Sequence, residues 1–151
     1  MIHNLGLNNS IINQFMAEIR DVELQKDSMR FRNNMIRLGE IFAYEISKMF
    51  DYTEENVVTS LGVAKVPTIS EQPVLATILR AGLPLHEGLL NFFDQADNAF
   101  ISAYRRHYND GTFEIKIDYL SSPSLENRVL VLADPMLATG QSMVLTYKEI
   151  V

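Results

Sequence analysis

Val129-Leu130-Val131-Leu132-Ala133-Asp134-Pro135-Met136-Leu137-Ala138-Thr139-Gly140-Gln141-Ser142 is the stretch on which the reading of this chain turns. Five apolar residues in a row, without polar alternation, have the pattern of a short strand covered on both faces. The run ends at an acid, Asp134, and small and hydroxyl-bearing residues follow. From Met143 to Val151 the spacing becomes helical. Strand, loop and helix start mark the place where open α/β sheets keep their ligands. Ala138 and Gly140 let the backbone approach an anion, and Thr139 and Ser142 add hydroxyl groups. The helix start presents free N–H groups at the positive end of its dipole. No Lys stands where a GxxxxGK[ST] phosphate loop needs one, so this is not a Walker loop. Asp134 repels phosphate but can accept hydrogen bonds from sugar hydroxyls. A sugar acceptor and a phosphate cradle on one loop fit a phosphoribosyl group. The plain alternative is an ordinary strand-to-helix turn capped by a Ser.

Upstream, Val74-Leu75-Ala76-Thr77-Ile78-Leu79 is a second near-continuous apolar run. It leads through Arg80-Ala81-Gly82 into a helical pattern from Pro84 to Phe93, with Pro near the first turn where its missing N–H is harmless. A third run, Ala99 to Ala103, completes a strand, helix, strand unit. Arg80 and the amides around it are placed to bind a second anion. Asn109-Asp110-Gly111 signals a turn between Tyr104–Tyr108 and Phe113–Leu120. In the second arm Phe113, Ile115, Ile117 and Tyr119 alternate with Glu114, Lys116 and Asp118, as in a half-exposed ribbon. Nearer the start, Ser10 is placed to cap a helix with Ile12, Phe15, Ile19 and Val22 on one face. Ser28 is placed to cap a longer helix striped by Phe31, Met35, Leu38, Phe42, Ile46 and Met49. Asn56 to Ile69, rich in Val and Thr and broken by Gly62 and Pro67, reads as short strands or an irregular arm.

The bulk properties narrow the classes. With 151 residues, 47% hydrophobic and 21% charged, the chain fits one globular domain, residues 1–151. No apolar run approaches bilayer length, and the start MIHNLGLNN lacks the pattern of a secretory signal. The absence of Cys excludes a disulfide framework and a thiolate nucleophile and, with the other features, favours a cytoplasmic protein without a membrane partner. A net charge of −6 argues against nucleic acid as a partner, yet a few Arg side chains and backbone amides can hold phosphates in an acidic protein.

VLVLADPMLATGQS resembles the phosphoribosyl-pyrophosphate (PRPP) signature of phosphoribosyltransferases. Its single acid in DPMLATG is similar to the uracil branch, where most other branches carry two. ILRAGLPLHEGLL, Ile78 to Leu90, resembles that family's pyrophosphate loop. Tyr104-Arg105 matches its Tyr-Arg pair at the base of a flexible hood, and MRFRNNMIRLGEIFAYEIS resembles its amino-terminal region. Gln141 stands where bacterial members often have a second Gly. The resemblance implies an α/β fold with a parallel-sheet core of phosphoribosyltransferase type, N-terminal helices and a projecting β-hairpin hood. It also implies that the C-terminal part, with the Gly-rich segment that recognises uracil, is missing from this sequence.

The reaction so implied is uracil plus PRPP giving UMP and pyrophosphate, through a transition state with oxocarbenium character and without a protein nucleophile. The PRPP-binding residues carried over are Arg80, Arg105 and the loop Asp134, Pro135, Met136, Leu137, Ala138, Thr139, Gly140, Gln141 and Ser142. Mg2+ is expected to arrive on PRPP, and a homo-oligomer, a dimer, is expected. His3, His86 and His107 read as structural or solvated, Glu45 and Glu87 as solvated or cap-related, and Met29, Met35 and Met49 as packing residues. Three alternatives stay open: a PRPP-binding fragment without turnover, a PRPP-sensing pyrimidine regulator, and a transferase for another base.

Overall fold

The computed structural model describes residues 1–107, 113–136 and 138–151, with only the backbone of the strand residues 105–107 and 113–115. Two N-terminal helices, α1 (Ile11–Arg20) and α2 (Ser28–Ser47), precede an antiparallel hairpin of β1 (Tyr52–Thr59) and β2 (Gly62–Ile69). The remaining elements are β3 (Val74–Leu79), α3 (Leu83–Leu90), β4 (Asp97–His107), β5 (Phe113–Ser121), β6 (Leu130–Ala133) and α4 (Gln141–Ile150).

Four strands form one sheet in the order β5-β4-β3-β6. β4 and β6 flank β3 in parallel, whereas β5 runs antiparallel to β4. Helices cover both faces, which explains the apolar runs. On one face, Leu75 packs with Met35, Leu38, Leu85, Leu89, Phe93 and Ala133. On the other, Val74, Ala76, Ala99 and Ile101 meet Ile117, Leu130, Leu132 and Ile150 of α4. β3 is buried from Val74 to Ile78, as its sequence predicts. β6 departs from its expectation: Leu130, Val131 and Leu132 are only half-buried, because no described strand pairs with its far edge.

The α2–α3 crossing rests on two glycines. A Cβ on Gly88 would lie 2.0 Å from the Ile36 carbonyl oxygen, and one on Gly39 would lie 2.3 Å from that of Leu85. α1 is held to α2 by Asn34, fully buried, whose Nδ2 donates to Glu18 Oε2 over 2.7 Å. That bond, with others from Gln14 and Arg30, holds the Glu18 carboxyl below its ordinary range. At the N-terminal edge of the sheet, Arg128 joins three segments, donating to Asp97 Oδ2 and to the Gln72 carbonyl and facing Glu71.

Some local expectations are corrected. Val22 lies beyond α1 and is exposed, because the Asp21 carboxylate accepts from the N–H groups of Glu23 and Leu24 and ends the helix. Asp27, not Ser28, is the N-cap of α2, accepting from the N–H groups of Met29 and Arg30. Of the α2 stripe, Met35 and Leu38 are buried, but Phe31 and Met49 are exposed; Met49 lies past the helix end. The stretch read as short strands or an arm is one regular hairpin with exposed faces. The turn at Asn109-Asp110-Gly111 lies outside the described residues. No described helix is long and apolar enough to cross a membrane.

Candidate active site

Register brings the sequence-predicted segments together. β3 pairs in parallel with β6 through Thr77 and Ala133, and with β4 through Leu79 and Ser102. The three strands therefore deliver their following residues to the same C-terminal edge. There stand Arg80, then Tyr104 and Arg105, then Asp134 and its loop. The chain leaves β3 towards β4 on one side, while β6 lies on the other. The crevice beyond β3 and β6 is therefore a topological switch point, the usual ligand position in such sheets.

The Arg80 turn is compact. The Leu79–Arg80 peptide is cis. The Gly82 N–H donates to the Ile78 carbonyl, and the Leu83 N–H to the Arg80 carbonyl. Arg80 is exposed, and α3 begins at Leu83 with Pro84 in its first turn, as expected.

The second loop starts at Asp134, half-buried at the strand end. Its Oδ1 accepts from the Met136 N–H over 3.3 Å, closing a tight turn, and Oδ2 has no protein partner among the described residues. Pro135 is half-buried and Met136 exposed. Leu137 lies outside the described residues. Ala138 and Thr139 are exposed, and Thr139 Oγ1 accepts from the Gln141 N–H over 3.4 Å. Gly140 takes φ 75°, a left-handed conformation that favours glycine, and turns the chain into α4. The N-cap Gly140 brings no side chain. Apart from the Gln141 N–H that Thr139 Oγ1 takes, the first-turn amides of α4 have no side-chain partner among the described residues and face an anion with the Ser142 hydroxyl beside them. Among the described residues the hydroxyl that meets the helix start is that of Thr139, and no hydrogen bond from Ser142 supports the plain reading of a Ser-capped turn.

β4 continues past the end of β3, and from Ala103 onward it pairs only with β5. A register shift between Ser102 and Ala103 opposes one extra β5 residue, Asp118, and re-aims this ribbon away from the sheet. The predicted hood thus projects from the site edge. Tyr104 is exposed at its base. Arg105 pairs through its backbone with Ile115; its side chain lies outside the described residues.

His86 sits inside the fold, on α3, with Nε2 2.7 Å from Asn98 Oδ1 and its ring against Phe100. Asn98 donates its amide to the Ala96 carbonyl, so its Oδ1 faces His86 as the acceptor and the ring carries its proton on Nε2. Burial pushes the His86 pKa down despite that bond. The site lies apart from an open, mainly apolar groove between the N-terminal residues, α1 and the end of α2. No loop residue lines that groove, so strand topology, not concavity, marks the site. Sequence reasoning missed Thr77, a buried polar residue beneath both loops; its only signal was a hydroxyl inside an apolar strand.

The family model for uracil phosphoribosyltransferase matches residues 6–151. The chain belongs to the uracil phosphoribosyltransferase family. A uracil phosphoribosyltransferase of Porphyromonas gingivalis is 50% identical over 150 residues, covering 99% of this chain and 69% of its own length. One from Methanothermobacter thermautotrophicus is 36% identical over 140 residues, 91% of this chain and 63% of its own. Among solved structures, the AQ2163 protein of Aquifex aeolicus superposes with a TM-score of 0.79 at 31% identity, over 95% of this chain and 67% of that one. A hypoxanthine phosphoribosyltransferase of Staphylococcus aureus shares the fold, with a TM-score of 0.54 at 16% identity over 79% of this chain and 56% of its own. The α/β architecture expected from the loop motifs is thus the family's, with the β1–β2 hairpin as a separate antiparallel unit.

Proposed function

We propose that this chain binds PRPP at the C-terminal edge of β4, β3 and β6 and transfers its phosphoribosyl group to uracil, giving UMP and pyrophosphate for pyrimidine salvage. The observation that carries the reading is the parallel register that delivers the Arg80 turn and the Asp134 loop to one crevice. The relatives' shared name, uracil phosphoribosyltransferase, supplies the base.

Each segment has a chemical task. The Asp134 carboxylate accepts hydrogen bonds from the ribose hydroxyls. The stretch Pro135, Met136, Leu137, Ala138, Thr139, Gly140, Gln141 and Ser142 wraps the 5′-phosphate with amides and hydroxyls. Arg80, with Arg105 at the hood base, neutralises the departing pyrophosphate. The C–O bond to pyrophosphate breaks as uracil N1 bonds the anomeric carbon, and the N1 proton passes to solvent or to the departing pyrophosphate, so positioning and charge stabilisation are the protein's contribution. Closure of the ribbon formed by the end of β4 and by β5 keeps water from the electrophilic sugar. Magnesium comes as part of the substrate, on PRPP. Asp134 is the single carboxylate of the loop, and among the described residues no three His, Asp or Glu side chains converge on a metal-sized site.

The same reading makes the protein a cytoplasmic enzyme that acts as a homodimer, with exposed apolar side chains on the β1–β2 hairpin and the end of α2 supporting the second copy. Its acidic balance disfavours nucleic acid. Isothermal titration with Mg–PRPP, followed by uracil and chromatography for UMP, tests it. Saturable PRPP binding and UMP formation are expected. PRPP binding without UMP would reduce the chain to a binding module, and a folded chain that ignores PRPP would overturn the reading.

A further inference from the structure

Thr77 lies wholly buried in β3, on the same face as Leu75. Its Oγ1 donates to the carbonyl oxygen of Ala133 over 3.4 Å, a long bond that reaches the peptide leading into Asp134. On its other side the hydroxyl fills the space left by a missing side chain. A Cβ built on Gly82 would stand 2.1 Å from Thr77 Oγ1 and 2.7 Å from the Ile78 carbonyl oxygen. One hydroxyl therefore touches the end of the Arg80 turn and the root of the Asp134 loop, across the switch point between β3 and β6.

PRPP imposes a geometric demand that either half alone does not. Its diphosphate and its 5′-phosphate hang from one ribose ring, so the two cradles that hold them must keep a set separation. We propose that Thr77 is the positioning residue that fixes the separation between the Arg80–Gly82 turn and the Asp134 loop. This rests on the assignment of both loops to PRPP. A valine at 77 puts a methyl where the hydroxyl stands. It removes the bond to Ala133 and crowds Gly82, shifting one cradle against the other. A serine keeps the oxygen.

The test compares a ligand that spans both loops with ligands that engage one. Mg–PRPP, magnesium pyrophosphate and ribose 5-phosphate are titrated into the wild-type chain, Thr77→Val and Thr77→Ser, followed by phosphorus NMR and calorimetry. Thr77→Val is expected to weaken PRPP about fivefold to tenfold while each single-loop ligand changes by less than about twofold. Thr77→Ser is expected to return PRPP to within about twofold of wild type. Equal losses for all three ligands, a serine variant as impaired as the valine, or unchanged PRPP binding would overturn the proposal. If circular dichroism shows Thr77→Val unfolded, Thr77→Ala takes its place against the serine variant, with the same selective loss expected. A folded wild type that takes up none of the ligands removes the loop assignment itself. A wild type that binds all three, with variants that bind them alike, removes only the role of Thr77.

Discussion

Asp134 divides its carboxylate between architecture and ligand. Oδ1 closes the turn with the Met136 N–H, and Oδ2 is left for the sugar. Asp134→Asn separates these tasks, because an amide oxygen can still accept from Met136 while the anionic acceptor for the ribose hydroxyls is lost. PRPP affinity is expected to fall by about tenfold or more, with the thermal midpoint moving by no more than about 2 °C. Calorimetric titration beside a circular dichroism melt checks both, and unchanged affinity would remove Asp134 from the ribose. His86 illustrates the opposite balance, a titratable group committed to the interior. Its pKa lies below the ordinary 6.5 because burial disfavours the imidazolium, so the unfolded chain takes up the proton first. Its share of stability is complete above about pH 6.5 and fades as pH falls through the lower folded value. Melting wild type and His86→Gln across that range should show wild type losing more stability towards acid. Parallel curves would show that His86 is not the group responsible.

At the scale of elements, the three site segments were legible because each follows or extends a short, near-continuous apolar run, the pattern of a strand buried in a parallel sheet, although β6 proved to be only half-covered. What the sequence hid depends on contacts between distant segments or on competition within one turn. The helical period extends to Val22, but the Asp21 side chain captures two amides and stops α1 first. Asp27 and Ser28 are both good caps, and Asp27, whose carboxylate accepts from two first-turn amides, prevails. Gly39 and Gly88 gave no local sign of their task, since nothing in either helix says that the other will cross there. The backbone approach that they permit sets the seat of α3, and α3 begins immediately after the Arg80 turn. Gly88→Ala forces a methyl to within 2.0 Å of the Ile36 carbonyl oxygen and 2.9 Å of Gly39 Cα. Neither neighbour is a flexible side-chain tip, so the helices must part. A loss of about 2–3 kcal/mol in urea unfolding is expected, where Ala in an open helix would add stability. A neutral or stabilising result would mean that the crossing is looser than its geometry implies.

For the whole molecule, the question is what covers the surfaces that the fold leaves apolar. The sheet ends at β6, whose half-buried Leu130, Val131 and Leu132 border an edge without a described partner. Such an edge offers free backbone groups to another chain. The β1–β2 hairpin stands apart from the main sheet, with Val58, Leu61 and Val63 at 83%, 99% and 68% exposure around its turn. A two-stranded hairpin gains little stability alone, so apolar side chains clustered at its tip are most economically explained by burial against another surface. A net charge of −6 opposes self-association only weakly at physiological salt, where exposed charges are screened beyond about 8 Å. The 17.2 kDa chain is therefore expected to scatter light as a dimer or larger species at tens of micromolar, about twice its own mass or more. Val58→Lys with Leu61→Glu should lower the measured mass while leaving the sheet and the PRPP loops intact, because the hairpin tip touches neither. A monodisperse 17.2 kDa species from the unsubstituted chain, unfolding in one cooperative step, would refute association. An unchanged mass in the double variant would move the contact from the hairpin tip to the end of α2 or the β6 edge.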